Sequence, residues 1–134
     1  MLEKHIFVCT HGKMGVELVK TAEMIIGKVD NVHSFSLMPE TSPDAFRESI
    51  ESAVLGVKGK IICLTDLFGG TPCNIAMLVS RDRNMKVMGG VNLGMFMEVY
   101  TQKDHLSLIE LTDFAENAGK DSCVNVSKKF SEVR

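Results

Sequence analysis

The stretch Lys60-Ile61-Ile62-Cys63-Leu64-Thr65-Asp66-Leu67-Phe68-Gly69-Gly70-Thr71-Pro72 decides the fold. After its lysine it runs almost unbroken in apolar residues to Thr65, the pattern of a strand covered on both faces. An aspartate and a glycine pair then turn the chain. Thr71-Pro72 opens a helix with an N-cap residue followed by proline. The same grammar recurs on both sides of this stretch. Upstream, His5–Thr10 reads as another two-face strand. Met14–Ile26 places Leu18, Val19, Ala22, Ile25 and Ile26 on one helical stripe, closed by Gly27 at a C′ position. Val32–Leu37 gives a second, more polar strand, expected at or near an edge. Ser42-Pro43-Asp44 starts a helix with a serine cap, a proline in the first turn and an acid at the positive dipole end. Phe46, Ile50, Ala53 and Val54 form its buried stripe, and Gly56 ends it. Downstream, Lys86–Gly89 reads as a fourth strand, followed by helices near Leu93–Tyr100 and Ser107–Ala118 and a short last strand around Cys123–Val126.

Strands alternating with helices predict a three-layer α/β/α domain around a parallel sheet with right-handed crossovers. In such sheets the ligand crevice lies beyond the carboxyl ends of the strands, where the winding reverses. For a flavodoxin-like strand order, 2-1-3-4, that crevice falls between the first and third strands. Those strands end at Thr10-His11-Gly12 and at Thr65-Asp66.

Three parts converge there. His11 can offer a neutral ring nitrogen as a nucleophile near neutral pH, and Gly12 lets backbone approach a ligand. Asp66, on the adjacent strand, is placed to hold the other ring nitrogen and to stabilise the cation formed on reaction. Gly69-Gly70-Thr71 aims the N–H groups and positive end of a helix at the crevice, which suits a phosphoryl group. Each part also has a plain structural reading. Asp66 serves equally as a turn-former or N-cap, Gly69-Gly70 as a bare strand-to-helix turn, and Thr71 as a helix cap or a donor to a phosphoryl oxygen.

Composition narrows the remaining classes. The chain has 134 residues, enough for one domain over 1–134 but not for two ordinary ones. Its apolar content of 45% and charged content of 24% are those of a globular protein. No apolar run approaches a membrane span, and the start, Met1-Leu2-Glu3-Lys4-His5, is unlike a secretory signal, so a cytoplasmic location is expected. The net charge of −2, with scattered lysines and arginines, argues against a nucleic-acid partner. Cys9, Cys63, Cys73 and Cys123 are widely spaced and read as small buried residues, not a disulfide or zinc framework. No Walker or dinucleotide motif and no metal-ligand spacing is present, so no cofactor and no metal are expected. His5, His33 and His105 read as surface or structurally satisfied histidines. Among nine methionines, most read as core filler, with Met14 and Met95 near the strand ends as candidates for a docking surface.

Several blocks resemble the EIIA domain of the mannose family of the bacterial phosphoenolpyruvate–sugar phosphotransferase system. They are Thr10-His11-Gly12, Thr21-Ala22-Glu23-Met24-Ile25-x-Gly27, Ser42-Pro43, Thr65-Asp66-Leu67-Phe68-Gly69-Gly70-Thr71-Pro72-Cys73-Asn74, Gly90-Val91-Asn92-Leu93 and Ala118-Gly119-Lys120, in order and spanning nearly the whole chain. The resemblance implies a phosphoryl carrier that accepts phosphate from phospho-HPr on His11. It passes the group to a histidine of a cognate EIIB, which serves an EIIC/EIID membrane complex. It makes Asp66 the partner of that histidine and adds Gly12, Phe68, Gly69, Gly70 and Thr71 as residues around the phosphoryl group. It also implies a homodimer in which a short antiparallel fifth strand, matching Cys123–Val126, is exchanged. Cys9, Thr71 and Gly94 depart from common residues of the family, and Gly94, replacing a frequent proline, loosens the start of its helix. Three alternatives share the same crevice: a module that only binds a small anion, a phosphocarrier feeding a dihydroxyacetone kinase, and a regulatory homologue. The intact Phe68–Pro72 block favours the sugar-transport branch over the second of these.

Overall fold

A computed structural model describes residues 3–131. Met1 and Leu2, part of the N-terminal reading, and residues 132–134 lie outside the described residues, as do the ends of the single-domain expectation over 1–134. The elements are β1 (His5–His11), α1 (Met14–Ile26), β2 (Val32–Leu37), α2 (Pro43–Leu55), β3 (Ile61–Thr65), α3 (Thr71–Ser80), β4 (Met85–Met88), α4 (Leu93–Gln102), α5 (Leu108–Asp121) and α6 (Val126–Ser131). The four strands form one parallel sheet in the order β2-β1-β3-β4. The winding therefore reverses between β1 and β3, as the flavodoxin-like expectation requires.

Strand alternation sorts the core into two layers. Ile6, Val8, Ile62 and Leu64 point to one face and pack with Ala22 of α1, Phe96 and Val99 of α4, and Leu111 and Ala115 of α5. Phe7, Cys9, Ile61 and Cys63 point to the other face and pack with Phe46 and Ile50 of α2 and with Ile75, Ala76 and Val79 of α3. Fully burying side chains of this size contributes about 1.5–3 kcal/mol each, so these layers supply most of the drive to fold. Three of the four cysteines fit this packing: Cys9, Cys63 and Cys73 are buried, whereas Cys123, expected to be buried, is exposed.

Local chemistry sets the element ends. The Ser42 hydroxyl accepts the Ala45 N–H at 3.1 Å to cap α2. Ser107 and Glu110 form a reciprocal capping box at the start of α5. Gly27 takes φ +86° at the end of α1.

Four expectations are corrected. Cys123–Val126 is not a strand in the single chain: 123–125 have no regular structure and α6 begins at Val126. The Asn125 side chain accepts the Lys128 N–H at 3.0 Å, so a helix cap prevails over the apolar pattern. The fourth strand starts one residue earlier, at Met85, which is buried in register with Ile61. Ile25 and Ile26 complete the helical stripe of α1 but are exposed, because no described element of the single chain covers its last turn. Met95 is core, with Gly119 packed against its methyl group, and offers no docking surface; Met14 is exposed. Among the described residues no helix is long and apolar enough to cross a membrane.

Candidate functional site

His11 is the last residue of β1 and Asp66 directly follows β3, so the parallel pairing of the two strands brings them together. Asp66 Oδ2 accepts the His11 backbone N–H at 3.0 Å and lies 2.9 Å from His11 Nδ1. A carboxylate oxygen can only accept, so Nδ1 carries the proton and Nε2 presents a lone pair. The histidine side chain is 49% exposed and the aspartate 11%. One ring edge is thus sheltered and oriented while the other faces solvent. Asp66 Oδ1 is buried with no partner among the described residues.

The glycines shape the rest of the crevice. Gly12 sits at φ +55° and its N–H donates to Leu37 O at 2.8 Å, turning the chain sharply behind His11. Leu67–Gly70 forms a turn closed by the Gly70 N–H to Leu67 O at 3.0 Å, with Gly69 at φ +83°, a value that favours glycine. At Gly70 the reason is a close approach: a Cβ there would lie 2.9 Å from His11 Cε1. The edge of the imidazole that carries Nε2 therefore abuts the start of α3.

At that start the sequence expectation needs revision. Gly70, not Thr71, is the N-cap of α3, and no side chain caps the helix. The turn through Gly69 begins the helix one residue earlier, which leaves Thr71 at the first helical position. Its hydroxyl has no hydrogen bond among the described residues. No acidic residue occupies the first turn, so the positive end of α3 stays open to an anion.

Phe68 stands at the tip of the turn, 89% exposed, with its backbone lying over Gly89. Leu67 and Met14 are also exposed beside the crevice. Of the sequence candidates, His11, Asp66, Gly12, Gly69, Gly70 and Thr71 gather around one opening, and Phe68 marks its outer rim.

Sequence reasoning missed three supports. The buried Thr10 hydroxyl accepts the Gly15 N–H at 2.9 Å and holds the loop after His11. Gly15 lets α1 press on β1, since a Cβ there would meet Val8 Cγ1 at 2.9 Å. A glycine in the first turn of a helix was the available signal. Asn74 also steadies the glycine turn by donating to Gly69 O at 3.2 Å. The remaining histidines are accounted for elsewhere: His5 Nδ1 and His33 Nε2 pair at 3.0 Å, and His105 lies in the turn between α4 and α5.

Residues 5–116 match the family described as the PTS system fructose IIA component. The chain is 25% identical over 132 residues to the fructose-specific EIIA component of Bacillus subtilis, covering 96% of this chain and 90% of that one. It is 31% identical over 120 residues to the mannose-specific EIIAB component of Escherichia coli, covering 87% of this chain and 37% of that longer protein. The crystal structure of a phosphotransferase system EIIA component from Streptococcus agalactiae superimposes with a TM-score of 0.87 at 27% identity, over 93% of this chain and 98% of that one. A matched segment that begins at the first strand and runs well into α5, with its His–Asp pair at the switch point, identifies the chain as a member of the fructose/mannose EIIA family of the sugar phosphotransferase system.

Proposed function

We propose that this chain is a single phosphoryl-carrier domain in which His11 Nε2 accepts a phosphoryl group from phospho-HPr and gives it to a histidine of a cognate EIIB. The EIIB in turn serves an EIIC/EIID complex during sugar uptake, which puts the carrier on the cytoplasmic side. The single observation that carries this reading is the 2.9 Å contact of Asp66 Oδ2 with His11 Nδ1, which leaves Nε2 free beside the start of α3.

The transfer balances without other groups. The Nε2 lone pair attacks phosphorus in line, a new P–N bond forms, and the P–N bond to the donor imidazole breaks. The donor ring regains its lone pair. The His11 ring keeps its Nδ1 proton and becomes cationic, and the Asp66 carboxylate stabilises that cation. Phosphoryl oxygens meet the free N–H groups of the first turn of α3 and the Thr71 hydroxyl, over the open backbone of Gly12, Gly69 and Gly70. Positioning and backbone dipoles then take the place that metal ions hold in nucleotide chemistry. Phe68, Leu67 and Met14 form an apolar rim for the partner proteins.

Incubation with phosphoenolpyruvate, enzyme I and HPr should label the chain with acid-labile, base-stable phosphate. Equal labelling of His11→Ala would overturn the assignment, and absence of label on the wild type would leave only an anion-binding module. Transfer from already phosphorylated HPr should survive a strong chelator; its loss would exclude the metal-free route.

The homodimer belongs to the same proposal. Among the described residues the outer edge of β4 has no partner strand, Met77 and Ile109 are exposed, and Val124, Val126 and Phe130 stand in solvent. Exchange of the segment from Cys123 onto the β4 edge of a second copy would cover all of these. Light scattering of the full chain checks it, and a monomer at working concentration refutes it.

A further inference from the structure

We propose that Gly89 and Thr65 are positioning residues for phosphoryl acceptance: from the β4 side they set the turn whose other side abuts His11. This rests on the carrier reading of His11. The Leu67–Gly70 turn leaves β3, the strand between β1 and β4. It therefore stands between His11, at the end of β1, and Gly89, just beyond the end of β4.

Both flanks of the turn are close-packed. On the β1 side, the Cβ that would meet His11 Cε1 belongs to position 70; on the β4 side, a Cβ at Gly89 would lie 3.3 Å from Phe68 Cα and Cβ and 3.4 Å from Phe68 N. The Phe68 ring stands in solvent, so Gly89 meets the main chain of the turn and not a yielding side-chain tip. Between these contacts the turn is stiff, closed by the Gly70 N–H on Leu67 O and held by Asn74 on Gly69 O. A push at Phe68 is therefore passed to Gly70 and on to the imidazole, because close-packed groups transmit strain.

Thr65 fixes the Gly89 flank. It is fully buried; its hydroxyl donates to Met88 O at 2.7 Å and its carbonyl accepts the Val91 N–H at 2.9 Å. One residue of β3 thus anchors both ends of the Gly89-Gly90 span, and Val91 is itself part of the core. Gly90 takes φ +77°, which favours glycine. Gly89 does not need that freedom, and the approach of Phe68 is what calls for a residue without a side chain there. A span tied at both ends cannot retreat from a bulkier residue 89, so the turn would move toward His11 instead. Loss of the Thr65 hydroxyl would leave Met88 O without that donor and loosen the same flank.

Single-turnover transfer from phospho-HPr and the NMR signals of the His11 ring, both on the full chain, test this. Gly89→Ala should slow transfer at saturating phospho-HPr by about three- to tenfold, with the half-saturating concentration changed less than about threefold. It should also shift the His11 Cε1–H signal. Thr65→Val keeps the shape of the side chain but removes its hydroxyl, and should have the same two effects. Thr65→Ser restores the hydroxyl and should return the rate to within about twofold of wild type. Ser107→Ala, which weakens the cap of α5 near the amino ends of the strands, is the control for lost stability and should change neither rate nor ring signal. Wild-type rates and ring signals in Gly89→Ala and Thr65→Val, equal slowing by Ser107→Ala, or no recovery in Thr65→Ser would each overturn the proposal. If the wild type takes no label, the carrier reading fails and the ring signals alone decide the positioning: shifted signals uphold it and unshifted ones overturn it.

Discussion

Replacing Asp66 by asparagine separates the two services that the carboxylate gives to His11. Oδ2 accepts both the His11 backbone N–H and the Nδ1 proton, whereas Oδ1 is an orphan. The variant's amide can place its oxygen at the Oδ2 position and its nitrogen at the orphan position. Both hydrogen bonds then survive, and with them the ring tautomer. An unsatisfied buried acceptor is exchanged for an unsatisfied buried donor, so stability should change by no more than about 1–2 kcal/mol. The negative charge is lost. At 2.9 Å an ion pair in an effective dielectric of about 40, intermediate between water and a buried site, is worth about 3 kcal/mol. The half-exposed histidine lowers this to about 2–3 kcal/mol, since solvent shares in stabilising the cation. Asp66→Asn should therefore slow transfer from phospho-HPr by about 30- to 150-fold. Rapid-quench single-turnover measurements give the rate, and nitrogen-15 shifts of the His11 ring report the tautomer. An unchanged rate would reduce Asp66 to a turn residue. A loss of about ten-thousandfold with a switched tautomer would show that the amide cannot rearrange as described.

Gly70→Ala sets a Cβ 2.9 Å from His11 Cε1 at a backbone geometry that alanine accepts, so the ring must move. Transfer should fall about tenfold or more while stability changes by no more than about 1 kcal/mol, as kinetics and thermal unfolding together would show. The His5–His33 pair makes stability pH-dependent. Burial, aided by Lys103, lowers the His5 pKa below 6.5, and burial, aided by His5, lowers that of His33. Both rings therefore favour the neutral form in the fold. Their contribution is complete above pH 6.5 and is lost as pH falls from 6.5 through the lowered folded values. Denaturant midpoints followed down to about pH 5, above the carboxylate range, should decline, and His33→Gln should flatten the decline; a flat wild-type profile refutes it. At Gly94 a Cβ would lie 1.9 Å from Ser122 Oγ and 2.8 Å from Ser122 Cβ. Gly94→Ala should destabilise by about 1–2 kcal/mol alone but stabilise by up to about 1 kcal/mol in a Ser122→Gly background. Additive effects in chemical denaturation would disprove that coupling.

The sheet was legible because its strands are apolar runs with few polar interruptions, and because the Ser42-Pro43 and Ser107–Glu110 caps announce their helices without tertiary help. His11 and Asp66 were legible for a topological reason: once the order of strands is known, the two strand ends must adjoin. What failed depends on one-residue geometry or on missing neighbours. Thr71 reads as a cap, but the Gly69 turn starts the helix at Gly70. Cys123–Val126 reads as a strand, but in the single chain the segment pairs with no described strand and yields to the Asn125 cap. The burial of Lys4 and Lys103, with Asp104 accepting from both, follows from packing that no local pattern encodes.

His11 and Asp66 are 55 residues apart and meet only across two central strands that are not consecutive in the chain. No local hairpin or single βαβ unit contains both. A chain caught partway through folding, with β1 formed but β3 not yet docked, has an imidazole with neither its tautomer fixed nor its cation stabilised. If His11 carries the phosphoryl group as proposed, its reactivity is a property of the completed sheet, and phosphate is spent only on molecules that have finished folding.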